Sequence, residues 1–263
     1  MRFALALVAF LLRAPFVLAQ VPDTVFLEEL TWTEVRDALN TGTTTVIIPT
    51  GGTEQNGPHM VLGKHNYLVK YKAGEIAARL GNALVAPVIA YVPEGNVDPP
   101  TGHMRFPGTV TTPPEVFAKV LEFAARSFKQ HGFADIALLG DSGGNQQGQA
   151  SVAEALNLEW AGTRVRVHHL TDYYPGLGDQ WLRQQGVSDE DVGSHASIHD
   201  TASLLFLNPD MLRLDQLRPG TRDDGSGVVG NPARSTAQQG EQILEMQIDA
   251  AVRQIQVLRE RSR

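Results

Sequence analysis

Three short segments of the chain concentrate side chains that can do chemistry. The first, PTGGTEQNGPHMVLGKHN (residues 49–66), carries Glu54, His59 and His65 among glycines and a proline that bend the backbone. One carboxylate and two imidazoles are ligand types that suit Zn or Mn; the plainer reading is that Glu54 caps and His59 packs. The second, GHMRFPGTVT (residues 102–111), has little periodicity and carries His103. The third, SHASIHDTA (residues 194–202), carries His195, His199 and Asp200. On a helix His195 and His199 would share one face as two ligands, or the segment is a polar helix start capped by Asp200 or Thr201. Between the second and third lies GDSGG (residues 140–144), where Ser142 is a conceivable nucleophile with His195 as its base. His131, in KQHGF, reads as a surface or capping residue, and one of His168 and His169 reads as core.

These residues need elements to hold them. Thr33 to Asn40 reads as a short helix with a Thr cap. TTTVIIPTGG reads as a buried strand running into a loop, and ALVAPVIAYV as an edge or interrupted strand because of Pro87. Helical spacing covers residues 67–80, and residues 113–129 form an amphipathic helix with Val116, Phe117, Val120, Leu121, Ala124 and Phe128 on one face. ADIALLG is the next strand, residues 147–160 a helix, and RVRVHHL a further strand. TASLLFLNPDML fits helix or strand, residues 215–234 form a long loop, and Ser235 is expected to cap a last helix running to about Arg259. Strands alternating with helices predict a three-layer α/β/α sandwich with a mostly parallel central sheet. In such folds the loops beyond the strands' C-terminal ends build the site, here residues 50–66, 140–147 and 171–200.

The 263 residues favour one large domain, and the net charge of −7 gives nucleic-acid binding no support. With no cysteine, disulfides, thiolate metal sites and thiol nucleophiles are excluded. Arg2, the apolar run from Phe3 to Leu12 and the small-residue site ending at Ala19 resemble a secretory signal peptide, although Arg13 and Pro15 interrupt the pattern and leave an uncleaved anchor open. The expected organisation is a signal peptide over residues 1–19 and a single domain over 20–263, periplasmic or secreted, with no membrane association after cleavage. GDSGG is similar to the serine segment of chymotrypsin-like proteases, but those are all-β, and here the segment follows a strand that follows an amphipathic helix.

Five segments in order resemble the creatininase (creatinine amidohydrolase) family. EQNGPHMVLGKH (54–65) stands where the family has E-Q-H-G-P-H-L-P-L-x-T-D, HMRFPGT (103–109) for H-x-x-F-P-G-T, and DSGGN (141–145) for G-H-G-G-N. HASIHDTA (195–202) stands for H-A-G-x-x-E-T-S, and GVVGNPARSTAQQG (227–240) for the tail before the last helix. The resemblance implies a homo-oligomer, commonly a hexamer, acting on a small molecule through a two-metal site. In the family that site uses the first-motif Glu, the His two residues later, the Asp closing the motif, the His of G-H-G-G-N and a further acidic residue. Here Glu54 is kept, Asn56 replaces the first His, His65 replaces the Asp, Ser142 replaces the second His, and Asp200 keeps the charge of the last motif. What remains implies a Zn or Mn site, of one ion or none, on Glu54, His65, Asp200 and Asp141. His195 and Asp200 are then the catalytic pair, with His195 carrying the proton, and Asn56, His59, His103, Ser142, Gly143, Gly144 and Asn145 face the substrate. The expected activity is metal-dependent hydrolysis of a C–N bond in a small, possibly cyclic, amide. The alternatives are a non-catalytic small-molecule binding protein on the same scaffold, or a serine hydrolase using Ser142 and His195.

Overall fold

In the computed structural model, which describes residues 23–174 and 176–261, four parallel strands form the central sheet. They are β1 (Thr45–Thr50), β2 (Ala83–Val85), β3 (Asp135–Gly140) and β4 (Arg166–His169), in the order β2-β1-β3-β4. The edge position expected from Pro87 is where β2 lies. The signal-peptide expectation concerns residues outside those described.

The central strands are apolar without a polar face because both faces are covered. Their side chains alternate between two cores. Val46, Ile48, Ile136 and Leu138 pack on one side with Phe117 and Leu121 of α3 (Pro114–His131) and Val152 and Leu156 of α4 (Gly143–Glu159). Ile47, Ala137 and Leu139 pack on the other with Val69 and Ile76 of α2 (Lys64–Leu80) and Ile248 and Ile255 of α8 (Ala237–Arg261). The first helix, α1 (Trp32–Asn40), starts in a capping box between Thr31 and Glu34. Two more helices, α5 (Leu177–Gln184) and α6 (Asp189–Val192), lie within residues 171–200, read as a loop, and α7 (Ile198–Leu207) with a 3-10 turn at Pro209–Met211 settles TASLLFLNPDML as helical.

Three boundaries differ from the sequence reading. The second helix begins at Lys64 rather than Tyr67, so Lys64 and His65 are helical. The helix after GDSGG begins at Gly143, with Ser142 as its N-cap accepting from Gly144 N–H. The last helix is boxed by Thr236 and Gln239, which exchange backbone-to-side-chain bonds of 3.2 and 2.8 Å. Ser235, the expected cap, instead turns its hydroxyl to the Ile198 carbonyl.

The strand order locates the site. The chain steps from β1 to β2 on one side, then returns over α3 to β3 on the other. The loops leaving β1 and β3 therefore diverge, and a crevice opens between their C-terminal ends, where doubly wound sheets bind ligands.

Candidate functional site

Glu54 follows β1 and Asp141 follows β3, so the crevice begins between two carboxylates that are 2% and 5% exposed. From it a cavity of about 960 Å³ opens outward. The bent loop after β1 is fixed by backbone pairing of Thr53 with Val110 and by Gln55 N–H donating to the Thr109 hydroxyl at 3.1 Å, which brings His103 to the cavity. His195 arrives on the segment before α7, paired with Val229. Glu94 comes from the loop after β2, and its carboxyl passes so close to Gly52 that a Cβ there would lie 2.5 Å from its oxygen. Gly144 is constrained in the same way by the Pro93 carbonyl, 2.2 Å from where its Cβ would stand.

The floor of the cavity is a network of paired charges. His65 sits between two carboxylates, with Nε2 2.9 Å from Glu54 Oε1 and Nδ1 2.9 Å from Asp141 Oδ2. The other Asp141 oxygen is bound by the Lys72 ammonium, which also meets Gln247 at 3.3 Å and lies 5.1 Å from the Tyr173 ring. Lys64 Nζ lies 3.1 Å from Asp200 Oδ1 and 3.9 Å from Glu54 Oε1. Burial by itself would raise the Glu54 carboxyl, but His65 and Lys64 hold it well below the usual carboxylate range. Burial opposes ionisation of Asp141 too, yet Lys72 and His65 keep its pKa low. Asp200 is held low against burial by Lys64. His65 loses from burial and from Lys64 but gains more from its two carboxylates, so its pKa is raised. Glu94 differs: burial and its hydrogen bond to Glu54 push it up to about 10, so it is a neutral carboxylic acid at pH 7.

On the open side, Glu54, His103 and His195 each turn one ligand atom inward, and the three atoms lie within 4.8 Å of one another. His103 Nε2 is 3.2 Å from Glu54 Oε2, and His195 Nδ1 is 3.8 Å from Glu54 Oε1. Ligand atoms about 2.0–2.1 Å from a tetrahedral ion stand roughly 3.3 Å apart, so this donor set fits one ion. Gln55 fixes both rings. Its Nε2 lies 3.1 Å from His103 Nδ1, and its carbonyl accepts from His195 Nε2 at 2.9 Å, leaving Nδ1 toward Glu54. Burial lowers the pKa of His103, and burial with Lys64 lowers that of His195 to about 4. Both are neutral at pH 7, the state in which imidazole binds a metal.

A second ion of the implied two-metal kind does not fit. Asn56 donates its amide nitrogen to the Glu54 and Val61 carbonyls at 2.9 and 3.3 Å, clipping the loop closed, and offers only a buried, unpartnered amide oxygen, a poorer Zn ligand than the imidazole it replaces. The Ser142 hydroxyl caps α4. Of the ligand set expected from the sequence, Glu54, His65 and Asp141 are brought together, but both His65 nitrogens are taken by carboxylates. Asp200 is reached only through Lys64, and its other oxygen accepts from Ala196 N–H at 2.8 Å, holding a residue with φ of 50° next to His195.

Of the residues expected to face substrate, His103, Ser142, Gly143 and Gly144 line the cavity. Asn56, His59 and Asn145 do not. All three are fully buried: His59 meets Thr201 at 3.1 Å, and Asn145 donates to the Thr50 and Gly51 carbonyls, so these two support the wall from behind. His195 and His199 do not share a helix face, because His195 precedes α7 and His199 pairs with Asp179 at 2.9 Å. Lys64, Lys72, Glu94 and Gln55 were not singled out in the sequence. The available signal was the spacing of Lys64 and Lys72, which places them about two turns apart on the same half of α2.

The profile of the creatininase family, creatinine amidohydrolase, matches residues 28–255. The chain belongs to this family. It is 26% identical over 232 residues to a mycofactocin precursor peptide peptidase of Mycolicibacterium smegmatis, covering 80% of this chain and 83% of that protein. It is 24% identical over 245 residues to a creatinine amidohydrolase of Pseudomonas putida, covering 84% and 92%. A solved mutant creatininase described as Zn–Zn type superposes with a TM-score of 0.73 at 23% identity, over 89% of this chain and 98% of that one. The α/β sandwich expected from the sequence is thus the creatininase fold.

Proposed function

We propose that this creatininase-family chain is an amide hydrolase that cleaves the C–N bond of a small substrate held in the cavity, with one Zn or Mn ion on Glu54, His103 and His195. The observation that carries this reading is the convergence of one carboxylate and two neutral imidazoles at the β1/β3 crevice. The activities of the two curated relatives, a peptidase and a creatinine amidohydrolase, support hydrolysis of an amide. When bound, such an ion lowers the pKa of a coordinated water and polarises a carbonyl.

The protein's own residues supply the rest. His65, held by Asp141, fixes the Glu54 carboxylate as an outer partner does for a ligand. The N-terminus of α4 presents Gly143 and Gly144 to the cavity, so its partial positive charge faces oxygen that turns anionic as water adds to the carbonyl carbon. As the C–N bond breaks, the leaving nitrogen needs a proton; Glu94, a protonated acid on the same wall, supplies it and as a carboxylate is reprotonated by the proton shed by the added water. The products are a carboxylic acid and an amine. His195, first expected as the proton carrier, is a ligand in this reading because its free nitrogen faces Glu54. Asp200 acts indirectly, by holding the turn at Ala196.

The serine-hydrolase reading lacks a base. Ser142 bonds to Gly144 N–H and to Glu94, and among the described residues no imidazole is within hydrogen-bond distance of it. The test is turnover of a panel of linear and cyclic amides and dipeptides by chelator-dialysed protein before and after Zn or Mn is restored, with Glu54→Gln and His103→Asn as controls. Metal-restored turnover that both variants abolish is expected. Metal-independent binding of panel members without turnover would favour the binding-protein alternative instead.

A further inference from the structure

Three carboxylates meet beneath the cavity, and two ammonium groups stand among them. Lys64 and Lys72 are 1% and 2% exposed, although lysine is among the residues least often buried without a partner. Both arise from α2, so one helix delivers both charges. The carboxylate oxygens can be followed one by one. Asp141 gives one to Lys72 and the other to His65. Asp200 gives one to Lys64 and the other to Ala196 N–H. Glu54 Oε1 faces His65 and, farther off, Lys64. Glu54 also accepts from the protonated Glu94, and its Oε2 lies beside His103 toward the open side.

The geometry points to Lys64 and Lys72 as tethered cations that neutralise the pocket floor, so that the pocket keeps its shape with no ion bound and accepts at most one divalent ion. Buried carboxylates this close together cannot stay ionised without compensating positive charge. A mobile divalent ion is one source, and a side-chain ammonium fixed by the fold is another. Here the second source is in place between Glu54 and Asp200 and against Asp141. An ion entering among these three would have to displace a lysine that the surrounding packing holds. The proposed hydrolase reading enters only in locating the single ion on Glu54, His103 and His195; the tethered-cation assignment stands on the lysines themselves.

Two measurements test it. In the first, chelator-dialysed wild-type protein is titrated with Zn or Mn by calorimetry, with metal content checked by mass spectrometry, and its melting and near-ultraviolet circular dichroism are followed. The metal-free protein is expected to keep its near-ultraviolet spectrum, melt in one cooperative transition and take up no more than one ion per chain. Two ions per chain, or loss of tertiary signal on chelation, would overturn the assignment. In the second, Lys64→Ala opens a space beside two carboxylates. Its melting temperature is expected to fall and to be restored saturably by ethylammonium or by a divalent cation, but not by sodium chloride of equal ionic strength. An unchanged melting temperature, or a loss that no cation restores, would show that Lys64 contributes packing rather than charge. Failure to hydrolyse any amide would leave both results intact, so the two readings fail separately.

Discussion

Removing the Asp141 carboxylate should be the most damaging single change in the pocket that touches no ligand of the proposed ion. Asp141→Ala strips the partner from the Lys72 ammonium, leaving it buried at 2% exposure with only Gln247 at 3.3 Å and the Tyr173 ring. It also frees His65 Nδ1, which loses its 2.9 Å partner. Breaking a buried pair by deleting one member costs about 3–5 kcal/mol, because the surviving charge is uncompensated. For a domain of this size each kcal/mol shifts Tm by about 2–4 °C, so the expected fall is roughly 6–20 °C. Replacing both partners behaves differently, since a buried pair exchanged for apolar groups of similar volume is close to neutral. Asp141→Ala combined with Lys72→Met should therefore recover most of the loss, giving a coupling energy of about 2–3 kcal/mol in a double-mutant cycle. Equilibrium urea denaturation of the four proteins reads this directly. A double variant no more stable than Asp141→Ala, or a single variant within about 1 kcal/mol of wild type, would refute the charge-paired floor.

Glu94→Gln keeps the shape of the neutral acid but removes its proton, so kcat should fall about 10²–10⁴-fold with melting nearly unchanged; an undiminished kcat would take Glu94 out of the reaction. Ser142→Ala should leave turnover within a few-fold of wild type, cost about 1 kcal/mol of stability through the lost α4 cap, and a fluorophosphonate probe should not label the wild-type serine; labelling would revive the serine reading. His195 has its pKa lowered to about 4, so it stays neutral as pH falls through the ordinary histidine range. The acid limb of kcat/KM should consequently lie below about pH 5 rather than near 6.5, and half-loss at 6.5 in a full pH–rate profile would contradict that assignment. N-terminal sequencing of protein recovered from a periplasmic fraction is expected to begin at Gln20, and an intact Met1 would count against cleavage.

The strands and the large amphipathic helix were legible because their signals are local. Val46–Ile48 and Ile136–Leu139 are apolar runs ended by glycine or proline, and Val116–Phe128 repeats with helical period. The sandwich followed from their alternation. The site was legible by segment and only partly by residue. Glu54, His103 and His195 stood out as chemistry-bearing types, but their grouping depends on Gln55 bridging two rings that are far apart in the chain. His65 read as a new ligand in an old ligand position. The structure makes it a bridge, because α2 starts three residues earlier than its apolar spacing indicates and carries His65 between Glu54 and Asp141. Lys64 and Lys72 escaped notice because lysine in a helix ordinarily faces water. Nothing local announces that three carboxylates from elsewhere will surround them. Glu94 lies in an irregular Pro-Glu-Gly segment, and its protonation comes from burial and its contact with Glu54, a property of the assembled pocket.

Anomalous diffraction from a crystal soaked in Zn tests the proposed centre most directly. One peak is expected per chain, about 2.0–2.1 Å from Glu54 Oε2, His103 Nε2 and His195 Nδ1, with Lys64 and Lys72 still paired to Asp200 and Asp141. Two peaks, or a single peak among Glu54, His65 and Asp141 with Lys72 displaced, would contradict it.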